Sequence, residues 1–494
     1  MTSGDGRPSR RTALVLTALM MAEITSSFET GMIYSALAKL YGVFGDPIGV
    51  GWLVTGFLLV AAGATVICGR LGDLFGRRRV MIAMLLCAGV GSAISAVSTD
   101  LEWVIFGRAV QGMSAAILPL CFGLLRENLP ESRVPIGVGI IAATATVGAG
   151  AGLILGGLIV DHLTWPWIFY CSGGFAVVSI ASVLLWVPPS ARPKTMGSLD
   201  VLGGVLFVPA IAGLLLAISK GKSWGWIDIR ALGLIACSLA LLALWVVHEL
   251  RQKNPLINVR LFADRQVALA NLAMALFGIG TSQAMLVLLL LMQQPSWTVV
   301  GLGVSATVAA LLKLPSNLLA TVAAPWSGYI AAQRGARQAL LVGIALVTLG
   351  WIAITAYHGS IWFLAPMIVF VGFGGAMMYA AMPNLIVEIV PADRIAETTG
   401  LQQVVRATAT AIGAQIASFM LASSTVSDPA QGPGTYPSAA AYTLALIFIT
   451  TTAVACLLVT LALPRRKRSN ERAGTATEHS EPGDLAPAVR VVSS

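Results

Sequence analysis

The 494-residue chain is 57% hydrophobic and 11% charged, with a mean hydropathy of +0.84 and a formal charge of +9. Apolar stretches long enough to cross a bilayer recur along it; they exclude a soluble globular protein and point to an all-α polytopic membrane protein, because lipid satisfies no open backbone group. The positive charge calls for no nucleic acid, since orientation in a bilayer and contact with anionic headgroups account for it.

Reading apolar runs against turn and charge clusters predicts fourteen spans, near 12–38, 48–68, 79–98, 102–125, 135–160, 166–187, 200–218, 230–248, 266–292, 299–330, 337–357, 361–387, 401–423 and 439–463. The run 299–330 holds Lys313 and Pro315 and is long enough to be tilted or broken. An even number of spans puts both termini on one side. With the termini inside, 24 of the 31 Lys and Arg fall in cytoplasmic segments, four outside and three within spans. The basic start, 1–11, leads into a retained first helix, and the polar tail, 464–494, is expected to be disordered. The six cysteines sit inside apolar spans without CxxC spacing, so a metal site is not expected.

Span one carries Glu23 and Glu29. Six residues apart, they are turned about 120° around the helix and do not form one site. Glu23 falls near mid-membrane, where apolar surroundings penalise a charge, as suits a proton carrier. Glu29 lies ~12 Å from the outer end and Arg108, in span four, ~8 Å, depths close enough to pair. Lys313 is placed about fourteen residues from the outer face, and could answer Glu23, meet an anionic substrate, or snorkel. Arg406 is expected to reach the cytoplasmic surface. Candidates to line a substrate cavity are Tyr34, Gln111, Asn271, Gln283, Lys313, Asn317, Gln402 and Gln415.

After span two, three glycines alternate with charge: Gly69, Arg70, Gly72, Asp73, Gly76, Arg77 and Arg78. A shift of 259 residues lays this stretch on 328–337, keeping Gly69/Gly328, Gly76/Gly335 and Arg78/Arg337. Two six-span halves, 12–187 and 266–463, are therefore expected around an inserted pair in 188–265. Asp73, placed at a helix N-terminus or against an arginine, can latch the inner side closed; its counterpart in the second copy is Ala332, so the acidic element is expected in the first half alone.

The stretch Gly69 to Arg78 resembles the G-x-L-a-D-r-x-G-R-[RK] loop of the major facilitator superfamily, and the chain from about 12 to 463 is similar to that family's fourteen-span drug:proton antiporter branch. Gly148, Gly152, Gly156 and Gly157 resemble the antiporter signature G-x3-G-P-x2-G-G, with Leu153 in place of its proline. Glu29 to Leu37 is similar to the branch's first-span pattern, and Arg108-Ala-Val-Gln-Gly112 to its R-x-x-q-G, whose arginine the resemblance implicates in proton coupling. Trp165 to Phe169 resembles W-R-W-[IF]-F, with Pro166 at the arginine.

The expectation is thus a monomeric, multi-pass secondary transporter in a bacterial inner membrane, both termini cytoplasmic. It is expected to export amphipathic or cationic small molecules against protons, with the proton gradient as its energy source and no cofactor or metal. A proton-coupled exporter or importer of a specific metabolite is the alternative. An importer would share the fold and the latch, while the acidic residues of span one, Arg108 and the span-five glycines favour drug export. A membrane receptor is more remote, and no HExxH, GxSxG or Walker loop points to an enzyme.

Overall fold

The computed structural model describes residues 10–130, 133–190, 201–225, 227–252, 258–390, 395–427 and 435–463; the tail and parts of several connections lie outside this set. The apolar runs fold into helices: α1 (Arg10–Phe44), α2 (Pro47–Phe75), α3 (Arg77–Val97), α4 (Leu101–Gln111), α5 (Ile117–Asn128), α6 (Val134–His162), α7 (Trp167–Trp186), α8 (Val201–Trp224), α9 (Ile229–Arg251), α10 (Arg265–Ile279), α11 (Ala284–Gln293), α12 (Ala306–Arg334), α13 (Ala336–Ala356), α14 (Ile361–Ile389), α15 (Ile395–Leu421) and α16 (Ala439–Ala462). Side chains start several of them. Asp46, Asp264, Ser305 and Ser438 each accept a first-turn N–H, and Pro47 occupies the first helical position of α2. A short hairpin, β1 (Thr425–Ser427) with β2 (Thr435–Pro437), joins α15 to α16, with Thr425 opposite Pro437.

Among the described residues, thirteen segments are long and apolar enough to cross a membrane. The 35-residue α1, diluted by Glu23 and Glu29, completes the fourteen. Span four is α4 and α5 joined by a 3-10 turn at Gly112–Ala116, and span nine is α10 and α11 joined by another at Thr281–Gln283. Span ten differs from expectation: α12 begins at Ala306, after a non-helical approach, and runs on unbroken through Pro315 and Pro325 to Arg334. Lys313 is therefore seven residues, ~10 Å, from the helix start, shallower than the apolar run alone indicates.

Both halves pack by one plan. The first span of each lies against the fifth and sixth (α1 on α6 and α7; α10 on α15 and α16). The third lies against the fourth and sixth (α3 on α4 and α7; α13 on α14 and α16). Between the halves, the second span of one meets the fifth of the other, α2 on α15 and α12 on α6, as a two-fold relation requires. The inserted helices α8 and α9 pack mainly on each other, with α8 touching α2 and α15.

The two membrane ends differ. At the basic end, Gly76 (φ 93°) and Gly335 (φ 91°) turn the chain from the second into the third span of each half, a left-handed conformation that favours glycine. At the far end the halves are in contact. Asp161, at the end of α6, accepts the N–H groups of Ala306 (3.1 Å) and Thr307 (2.9 Å) at the start of α12. A Cβ at Gly157 would lie 2.8 Å from both residues, and Gly51 backs directly onto Ser418. The buried core follows the same division. One cluster runs through the second half and the far-end part of the first, from Phe28 to Tyr41 and from Val50 to Val54. The basic-end part of the first half, Val15 to Ala22 with Leu120, Leu124 and Val183, forms a separate core.

Candidate functional site

The buried chemistry of the first half is assembled around Glu29. Span four breaks its α-helix at Gly112, where a Cβ would meet the Phe57 carbonyl oxygen at 2.5 Å, so the chain tightens into a 3-10 turn pressed on α2. That turn aims Gln111 and Ser114 at α1. Ser114 Oγ donates to Glu29 Oε2 (2.9 Å), while Ser172 Oγ of α7 and Gln111 Nε2 donate to Oε1 (3.2 and 3.3 Å). Gln111 Nε2 also donates to Ser92 Oγ of α3 (2.7 Å).

Arg108 does not pair directly with Glu29, as depth alone had led us to expect. Its Nη1 donates to Gln111 Oε1 (2.8 Å), so the amide bridges the two charges. Its Nε donates to the Leu53 carbonyl (3.1 Å), and its guanidinium lies 4.5 Å from the centroid of Phe57. Arg108 and Glu29 are each 2% exposed. Buried charges of this kind survive where other groups satisfy them, and here the bridge reaches from α1 through span four to α2. Tyr34 is buried within electrostatic reach of Arg108.

Glu23 stands apart. Its Oε1 accepts from Ser27 of the same helix (3.0 Å), and its buried Oε2 meets no partner among the described residues. Lys313 does not answer it: Lys313 Nζ donates to Ser316 Oγ (2.9 Å) and forms no ion pair with a described residue. Lys313 and Asn317 line a cavity of about 240 Å³ enclosed by α10, α11, α12 and α14. The other polar candidates are held between helices. Asn271 donates to Val267 O, Gln283 to the carbonyls of Gly278 and Thr410, and Gln402 to Met382 Sδ. Gln415 is fully buried and has no hydrogen-bond partner among the described residues. Arg406 bonds Gln403, one turn back along its own helix, in an exposed contact, and lies 5.3 Å from the ring centroid of Tyr379 on α14.

The glycines of α6 serve two neighbours. Gly148, Gly152 and Gly156 line the face on α1, where added Cβ atoms would fall 3.2 Å from Ser27, 2.6 Å from Phe28 O and 2.8 Å from Met32. Gly157 turns to α12.

At the basic end, the surroundings of Gly69 and the side chains of Arg70 and Asp73 lie outside the described residues. Gly72 packs on Leu120, with Gly76 N–H bonded to its carbonyl (3.0 Å). Arg77 donates to Glu127 (3.0 Å) and to Gly123 O (3.2 Å) on α5, and Arg78 to Leu184 O (2.7 Å) at the end of α7. The second half repeats this. Ala336 N–H donates to Glu388 of α14 (3.0 Å), and Arg337 to Leu461 O (2.8 Å) on α16. The expectation of an acidic latch at Asp73 falls on a side chain outside the described residues. Glu127 and Glu388, each at the end of a fourth span, add an acidic partner in both halves, and each opens a Glu-x-x-Pro repeat, 127–130 and 388–391, that could have been read directly.

The family model described as Major Facilitator Superfamily matches residues 19–414 and 272–493. The chain is 30% identical over 486 residues to the cephamycin export protein CmcT of Amycolatopsis lactamdurans, covering 94% of this chain and 96% of that one. It is 26% identical over 426 residues to the tetracenomycin C resistance and export protein of Streptomyces glaucescens, covering 85% and 77%. Among solved structures, a peptide transporter crystallised with sulfate superposes with a TM-score of 0.65 at 15% identity, over 94% of this chain and 95% of that one.

Proposed function

This chain belongs to the major facilitator superfamily, and on that premise we propose that it is a multi-pass membrane transporter that exports drug-like amphipathic small molecules in exchange for protons. Its similarity to export proteins for cephamycin and tetracenomycin C supports the direction and the kind of cargo. The wealth of Lys and Arg at the basic end supports placing that end, and both termini, in the cytoplasm of a bacterial inner membrane. The protein acts as a monomer in this reading, each half supplying one wall of the pathway.

The observation that carries the coupling is the Glu29–Gln111–Arg108 bridge. While Glu29 is ionised, it accepts three hydrogen bonds and holds Gln111 turned towards it, with Gln111 Oε1 offered to Arg108. A proton arriving on Glu29 Oε1 converts the acceptor that Gln111 uses into a donor, so Gln111 Nε2–H faces an O–H and the bridge rearranges. Arg108 then loses its amide acceptor while still tied to Leu53 O and Phe57 on α2. Because α2 packs on α15 of the other half, a protonation buried in the first half biases how the two halves meet. Glu23 is a second proton-carrying candidate, held among the described residues by Ser27 alone.

The deciding experiment is pH-gradient-driven dye efflux from reconstituted vesicles, comparing wild type with Glu29→Gln and Glu23→Gln. Loss of gradient dependence in Glu29→Gln is expected. Unaltered gradient-driven efflux in both variants would sink the proton-carrier assignment.

A further inference from the structure

The cavity of the second half has a charge character of its own. Its walls come from Phe277 of α10, Met285 and Met292 of α11, and apolar positions of α14, surfaces that adapt to varied flat or aliphatic shapes. Its polar groups are few, Thr281, Ser282, Lys313 and Asn317. Lys313 supplies the only formal charge among the lining residues, none of which is Asp or Glu. The lysine is given room by Gly372, where a Cβ would sit 3.5 Å from Nζ. Asn317 lines the same wall. Thr281 also lines the cavity and is 5% exposed, and its buried Oγ1 has no hydrogen-bond partner among the described residues. Span nine breaks at Thr281–Gln283, so the first residue of α11, Ala284, also faces the cavity at a helix N-terminus that no side chain caps.

A lysine held in an apolar wall with one hydroxyl for company is costly unless a counter-charge arrives. No described residue provides it. We propose that this cavity binds the anionic group of the cargo, so that the transported class is acidic amphipaths: a ring or aliphatic body on Met285, Met292 and Phe277, and a carboxylate, sulfonate or phenolate on Lys313 with Thr281 donating. At about 240 Å³ the cavity holds the acidic end and one ring. Asn317, on the same wall, ties the cavity to the first half, its amide packing within 3.1 Å of a Cβ position at Gly150 of α6. The assignment names the substrate class of the export reading and rests on it.

Two dyes with one xanthene body and opposite charge, fluorescein and rhodamine 6G, separate the possibilities. Their binding to the full-length protein in lipid nanodiscs is followed by fluorescence anisotropy. Wild type is expected to prefer fluorescein. Lys313→Gln weakens fluorescein by about tenfold or more, the loss of a charged hydrogen-bond partner, and leaves rhodamine 6G unchanged or tighter. Lys313→Arg keeps fluorescein within about threefold, and Thr281→Val weakens it by about threefold with the lysine in place. Wild type that prefers rhodamine 6G or binds neither dye overturns the proposal, as does unchanged fluorescein affinity in Lys313→Gln. Gradient-driven movement of either dye, measured separately in vesicles, tests the export reading, so the two ideas fail by different results.

Discussion

Glu29 and Arg108 were legible as intramembrane charges because so few ionisable groups fall within the apolar runs. The residue that joins them was not. Gln111 is one of many amides on these helices, and only the 3-10 turn at Gly112–Ala116 gives it a position between the two charges. Gln111→Leu would take one hydrogen bond from a buried guanidinium and one from a buried carboxylate. We expect it to cost roughly 1–3 kcal/mol of stability and to cut gradient-driven efflux about tenfold, read from unfolding in detergent and from vesicle assays. A variant with wild-type melting and transport would show that the bridge carries nothing. The Arg77–Glu127 pair makes a contrasting case, since its side chains are 30% and 27% exposed. A double-mutant cycle there should give a coupling of only about 0.2–1 kcal/mol, and a value several-fold larger would mean the pair is less solvated than it stands here.

Individual helices were largely readable from apolar length, but where they part was not. α6 and α12 cross at Gly157 with Ala306 and again at Gly150 with Asn317. Gly139 lies eleven residues before Gly150, and Gly328 eleven after Asn317, so three turns bring both back to the same helix faces at one depth. Here, however, a Cβ at either glycine would meet nothing within 4 Å, and nearby Ile136 and Tyr329 are exposed. The two helices have separated towards the basic end, and these glycines are the surfaces that would meet if that end closed. Cysteines in both places, Gly139→Cys with Gly328→Cys, should crosslink during gradient-driven turnover and scarcely at rest, because a disulfide needs Cα atoms about 4.4–6.8 Å apart. Equal crosslinking in the two conditions would mean the helices do not close there.

For the whole molecule, the far end holds the halves together and the basic end lets them part, leaving two separate cores in the first half. Asp161 is the polar clasp of that far end, capping α12 from α6. Asp161→Ala should remove about 0.5–2 kcal/mol of cap energy from this state alone, raising the fraction open at the far end by about two- to thirtyfold. Spin-label distances between the ends of α6 and α12 would report the shift, and an unmoved distribution would deny the clasp its role. The amino-acid sequence by itself determined the spans, the repeat of the Gly76 and Gly335 turns, and which charges fall within membrane-spanning segments, since apolar length, backbone φ and charge burial are local costs that each segment bears alone. Which charges meet is a different matter. The Gln111 bridge, the isolation of Lys313 from Glu23, the paired clasps of Glu127 and Glu388 and the end at which the halves separate depend on helices far apart in the chain packing side by side, and only the tertiary structure decided them.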